Sequence, residues 1–263
     1  MKGSLIALAE LFGLSSRGVR TSAFRLAADD WLDVERVGRR SYYGLSDVGL
    51  LRVQHADRRI YEFNHPQWDG RWTLAVLVGS MRASKRLDLK RELLWESFGQ
   101  LAPNVFAHPH ADHTSLREIL KAANAEETVA VLSAESLDAY ARRPLQVIMK
   151  ETFKLEHVER SWKQFIARFS PVLSIYRSLA PVESFFVRTL LIHEYRRVLL
   201  RDPNLPEALL PVNWPGLHAR HLCGELYGVL LAPSELFLQS HVETADGALV
   251  KTPRAITRRL STR

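Results

Sequence analysis

The sequence predicts an α+β protein with an N-terminal winged helix-turn-helix, a central ferredoxin-like α/β sandwich and a C-terminal, mainly helical domain. Three observations carry that prediction. A basic amphipathic helix runs into a short hairpin within residues 14–46, strand and helix patterns alternate between 71 and 134, and apolar residues recur at helical spacing through most of 137–241. The predicted segments are 1–63, 64–136 and 137–245, followed by a basic tail, 246–263, predicted to be disordered.

The first helix is LIALAELFG, Leu5 to Gly13, which repeats apolar residues at helical spacing and breaks at a glycine suited to a tight inter-helix turn. The second starts at Ser15 or Ser16, since serine accepts a hydrogen bond from the free N–H groups of a first turn, and runs to about Ala28. At about 100° per residue, Val19, Ala23 and Leu26 gather on one side and Arg17, Arg20, Thr21 and Arg25 on or near the other. Phe24 falls near the polar side, where it either meets a thymine methyl or covers part of another domain. Leu32 to Val37 then reads as a strand, Gly38-Arg39-Arg40 as a tight turn and Ser41 to Leu45 as the returning strand. Arginines at such a tip can reach phosphate or a narrow minor groove. The succession of helix, turn, basic helix and basic hairpin predicts a double-stranded DNA-binding module, with Ser16, Arg17, Arg20, Thr21, Arg25, Arg39, Arg40 and Tyr42 as its contact set. A helical stretch from Ser46 to Tyr61 follows, and the HPQWDG run at His65 to Gly70 is turn chemistry that marks a boundary.

In the middle segment Arg71 to Gly79 reads as a buried strand, Ser84 to Leu101 as an amphipathic helix and Asn104 to Pro109 as a strand. Ser115 to Asn124 is a second helix and Thr128 to Ala134 another strand, with further short strands unresolved by pattern. This alternation in a short span is the basis for the ferredoxin-like prediction. In the third segment Phe153 to Arg168, Pro181 to Leu200 and Leu217 to Gln239 read as helices, Pro181 standing at a favourable first position. Between the last two lies a proline-rich loop, Arg201 to Gly216, too apolar to be simply solvated.

Composition bounds the function. Lys and Arg number 36 against 29 Asp and Glu, a net charge of +7 with pI near 9.7, which favours polyanionic partners. A single cysteine, Cys223, excludes an intrachain disulfide framework and fits a reducing compartment. No apolar run is long enough to span a membrane and no secretory leader follows Met1, so the protein is expected in the cytoplasm.

Two clusters offer competing chemistry. HPHADH, His108 to His113, fits the H-x-H-x-D-H pattern of two-metal hydrolases, but the later histidines fall mostly in helical stretches and Thr114 replaces the usual glycine. The simpler expectation is a turn in which Asp112 or Thr114 caps the next helix, with no metal bound. HEYRR, His193 to Arg197, lacks the second histidine of a zinc helix; Glu194 can pair with Arg197 three residues on. An alternative use is a pocket for a phosphate-bearing effector lined by Arg188, His193, Arg196 and Arg197. No phosphate loop, nucleophile elbow or paired carboxylate stands out, so neither an enzyme nor a cofactor is expected.

Three stretches, SSRGVRTSAFRLAADDWLDVERVGRRSYYGLS (15–46), RIYEF (59–63) and LLIHEYRRVLLRDPNLPEALLPVNWPG (190–216), resemble the PaaX family of bacterial repressors that control phenylacetic acid degradation. The resemblance touches all three segments. It implies a winged helix-turn-helix, a central dimerisation domain similar to the ferredoxin-like nucleases of CRISPR adaptation, and a helical C-terminal domain. It also implies a homodimer on a palindromic operator, released by an aryl-CoA effector, phenylacetyl-CoA. The DNA contacts carry over to Arg17, Arg20, Thr21, Arg25, Arg39, Arg40 and Tyr42, and the effector to the HEYRR and WPG positions. Members of the family carry a further helix ahead of the one at Leu5; here only Met1 to Ser4 precede it, so the start lies upstream or the module is trimmed. Val78-Gly79-Ser80 closes the first middle strand without an acidic residue, which argues against nuclease activity.

Overall fold

The computed structural model describes residues 3–38, 40–53, 68–135, 145–244 and 247–248, and mixes helix with antiparallel sheet. The chain divides into two compact units, one holding 1–63, 165–196 and 218–263, the other 64–164 and 197–217.

The first unit opens with α1 (Ser4–Glu10) and α2 (Ser16–Ala28). Gly13, at φ +73°, supplies the left-handed turn that lets the chain reverse between them, as its position after the apolar repeat predicts. Two six-residue strands follow, β1 (Leu32–Val37) and β2 (Arg40–Leu45), paired antiparallel from Leu32↔Leu45 to Val37↔Arg40. Arg40 is therefore a strand residue rather than part of the turn, because Gly38 at φ +61° reverses the chain early enough for pairing to begin there. Residues 47–53 form α3, and the rest of the helical stretch expected to Tyr61, with the RIYEF motif, lies outside the described residues.

Ser46 ties these pieces together. Its hydroxyl donates to the Asp30 carbonyl at 2.5 Å and accepts from the Gly49 N–H at 2.9 Å, and a Cβ at Gly49 would lie 2.1 Å from the Trp31 carbonyl oxygen. Only glycine admits that approach. Arg52 donates to the Asp29 carbonyl at 2.9 Å with its guanidinium 5.0 Å from the Trp31 ring.

The second unit contains β3 (Arg71–Leu77), α4 (Ala83–Trp95), β4 (Gly99–Ala102), β5 (Val105–His108), α5 (His113–Ala122) and β6 (Val129–Glu135). Its four strands are antiparallel in the order β4-β5-β3-β6. Ala75, Leu77, Phe106 and Val129 on one sheet face meet Leu89, Leu93, Leu116 and Leu120 from the two helices, forming its core. The predicted helix to Leu101 stops at Trp95. Ser97 turns left-handed at φ +65°, and Gly99 starts a strand packed so closely on Thr152 and Phe153 that a Cβ would lie 2.5 Å from the Phe153 ring. α6 (Leu145–Thr152) follows, and Lys154 at φ +51° separates it from α7 (Leu155–Phe169).

The helices continue with α8 (Val172–Ile175), α9 (Pro181–Leu199) and α10 (Pro215–His241), and a short pair, β7 (Glu243–Thr244) and β8 (Gly247–Ala248), ends the described chain. In the first unit Phe185 of α9 lies 5.3 Å from Phe237 of α10, and Phe165 of α7 lies 5.8 Å from Tyr195 of α9. Phe12 stacks on Phe186 at 4.8 Å and meets Phe185 edge-on at 6.0 Å, so α9 supplies apolar support at the end of α1.

The apolar loop 201–216 in the second unit is anchored rather than solvated. Asp202, nearly inaccessible, accepts from the fully buried Trp162 indole N–H at 2.6 Å with one oxygen and from the Asn204 N–H at 2.8 Å with the other. Leu205, Leu209 and Trp214 are buried, and a Cβ on Gly216 would lie 2.5 Å from the Trp214 indole nitrogen.

Candidate nucleic-acid interface

Ser15 caps α2, its hydroxyl oxygen accepting from the Gly18 N–H at 3.2 Å, while Ser16 becomes the half-buried first helical residue. Cap and phase together decide which side chains face water. Ala23 is 5% exposed and Val19 and Ala27 are half-buried, whereas Leu26, expected on the packed side, is 41% exposed, and Arg17, Arg20, Thr21, Phe24 and Arg25 are exposed. Among the described residues none of Arg17, Arg20 and Arg25 makes an ion pair, so three guanidinium groups stand free in water on one side of a capped helix. Thr21 is less free: its hydroxyl donates to the Arg17 carbonyl at 3.0 Å.

The hairpin is held differently. Arg40 Nη1 meets Glu243 Oε2 at 2.7 Å, and the Glu243 N–H donates to Ser4 Oγ at 3.0 Å, so one residue of β7 touches both the start of α1 and the base of the hairpin turn. A side-chain hydrogen bond with the half-buried Tyr42, together with the Glu243 charge, raises the Arg40 pKa above its ordinary value and keeps it a cation. Arg39 lies outside the described residues. Glu243 has no local signature, since it stands 203 residues from its partner; only the folded chain reveals it.

The competing clusters resolve into structure. Asp112 caps α5, accepting from the Thr114 N–H at 2.9 Å and the Ser115 hydroxyl at 3.0 Å, and these bonds lower its pKa. His108 Nδ1 accepts the His110 N–H at 2.9 Å, and His113 Nε2 lies 3.2 Å from the Thr73 hydroxyl. Among the described residues no three His, Cys, Asp or Glu side chains are grouped to hold a metal ion. Cys223 is buried, and burial raises its thiol pKa far above the ordinary range, so it is no nucleophile at neutral pH.

Of the expected effector residues, Arg188 is engaged inside the helical pair: its guanidinium donates to Glu235 Oε1 at 3.0 Å, with side chains only 12% and 17% exposed, and lies 5.7 Å from the Tyr227 ring. His193 and Arg196 are exposed on α9, and Glu194 pairs with Arg168 of α7 at 3.4 Å. Arg197 and Trp214 belong to the second unit, Arg197 exposed and Trp214 buried against Gly216.

Comparison with known proteins bears on all of these elements. Residues 1–49 match the family model of PaaX-like proteins, 65–145 that of the PaaX central Cas2-like domain and 153–240 that of the PaaX-like C-terminal domain. The chain is 38% identical over 251 residues to the transcriptional repressor PaaX of Escherichia coli strain K12, covering 94% of this chain and 79% of that one. Among solved structures, the uncharacterized protein Rv0674 of Mycobacterium tuberculosis shares the fold, with a TM-score of 0.58 at 21% identity over 88% of each chain.

Proposed function

Because the chain belongs to the PaaX family, we propose that it is a transcriptional repressor that occupies operator DNA through α2 and the β1–β2 hairpin. In this reading α1, α2 and the hairpin are a winged helix-turn-helix, and the βαββαβ unit is a ferredoxin-like dimerisation domain. The single observation that carries the assignment is the ion-pair-free arginine face of α2, since three solvated cations on a capped helix match the charge of a duplex groove. Two copies would set their α2 helices in successive major grooves about 34 Å apart on a palindromic operator. Arg17, Arg20 and Arg25 are the cations for base edges and phosphates, Ser16 stands at the helix start and Thr21 beside them. Arg39, Arg40 and Tyr42 serve the wing, with Arg40 exchanging Glu243 for phosphate on binding.

The effector we assign is an aryl-CoA thioester, phenylacetyl-CoA by the family resemblance, and the pathway under control is phenylacetate-type degradation. His193 and Arg196, exposed on α9, are the side chains suited to its phosphates, while Arg188 in this reading holds the packing behind them. A thioester that binds the DNA-free dimer better releases the operator by no more than that difference in affinity. A gel shift on the duplex upstream of its own gene tests the reading. A salt-sensitive band that Arg20→Ala abolishes is the expected result; no band at any salt, or an equal band from the variant, overturns it.

A further inference from the structure

Phe24 is 74% exposed, on a helix that buries Ala23, about 100° away around the axis, to 5%. At about 100° per residue, positions 17, 20, 21, 24 and 25 of α2 span an arc of about 140°, and 24 falls between 20 and 17 on it. Phe24 thus sits within the exposed cationic face, flanked around the axis by Arg20 and Arg17, with Arg20 and Thr21 one turn before it and Ala27 and Ala28 one turn after. Thr21 extends the apolar spot: its hydroxyl is committed to the Arg17 carbonyl at 3.0 Å, which leaves its methyl as the group it can offer a partner.

A large apolar ring surrounded by unpaired guanidinium groups calls for a partner that is anionic at the margin and apolar at a point. An apolar protein face would strand the arginines, and a uniformly acidic one would strand the ring. The major groove of duplex DNA combines both, because phosphates line its edges and the thymine C5 methyl is the apolar group on its floor. We infer that Phe24, aided by the Thr21 methyl, reads thymine in the major groove and is the specificity-setting contact between the flanking arginines. The inference rests on the DNA-binding reading above and adds a base preference to it.

Selection from a random-sequence duplex library with the full chain, followed by titration of the winning duplex, tests it. Wild type enriches a motif with thymine at a fixed position, Phe24→Ala loses preference there while keeping the neighbouring positions, and Phe24→Leu retains it. Replacing that thymine by uracil, which deletes only the methyl, weakens wild type about fourfold per site, the equivalent of one buried methyl group, and leaves Phe24→Ala unchanged. Should wild type enrich no sequence, the DNA reading and this inference fall together. Should wild type and Phe24→Ala enrich the same motif, or respond alike to uracil, only the thymine contact falls. A variant that alters the oligomeric state and not the motif would make Phe24 a protein contact, and so would overturn the inference too.

Discussion

Arg40 and Arg20 are both exposed arginines, yet the fold treats them differently. Arg40 has a carboxylate at 2.7 Å, and Arg20 has no ionic partner among the described residues. A cation left unpaired stabilises nothing in the folded chain, so its value lies in what it meets outside. Asp202 shows the opposite case, a charge drawn inside for structure. Its two oxygens accept from the Trp162 indole and the Asn204 N–H beneath the proline-rich loop, and the Trp162 donor is fully buried. Asp202→Ala should therefore cost about 2–3 kcal/mol, because it orphans a buried donor and removes a charge-assisted bond. Urea denaturation checks this, and an unchanged midpoint would mean the loop is held by its apolar packing alone. The sequence shows the loop as apolar but hides its anchor, because Trp162 lies 40 residues away and nothing local couples the two.

Elements whose signals are local are legible in the sequence: α2 from its serine cap and apolar phase, the hairpin from alternation around Gly38, and Asp112 as a helix cap. The exception is α4, which periodicity extends to Leu101. Phe98 and Leu101 continue the apolar pattern, and the break at Ser97 is set by Gly99 packing against Thr152 and Phe153, a tertiary constraint that periodicity cannot register. The approach of β7 to the hairpin belongs to the same class. Both side chains of the Arg40–Glu243 pair are more than half exposed, at 53% and 55%, so the bond is weak enough for a phosphate to displace. Glu243→Gln should tighten duplex binding about twofold to fivefold, the range of an exposed ion pair, when measured by fluorescence anisotropy. Equal affinity in the two proteins would mean that Arg40 does not leave Glu243 for DNA.

The whole chain is cationic, +7 by formal charge, and three family models together span most of its length. Net charge alone draws any polyanion; a repressor also needs that charge arranged on a rigid face. α2 provides such a face, capped by Ser15 at one end and packed through Ala23, with Phe12 of the preceding turn seated on Phe185 and Phe186. If an effector acts through the helical segment, as proposed, reciprocity requires that operator DNA weaken its binding by the same factor that it weakens the operator. The most direct measurement is duplex affinity against KCl concentration for wild type and for the combined Arg17→Ala, Arg20→Ala and Arg25→Ala variant, with circular dichroism verifying the fold. If α2 faces DNA, wild-type affinity falls steeply with salt, and the folded variant binds far more weakly with a slope shallower by about 0.9 for each phosphate it no longer neutralises. A folded variant that matched wild type in affinity and slope would contradict the account.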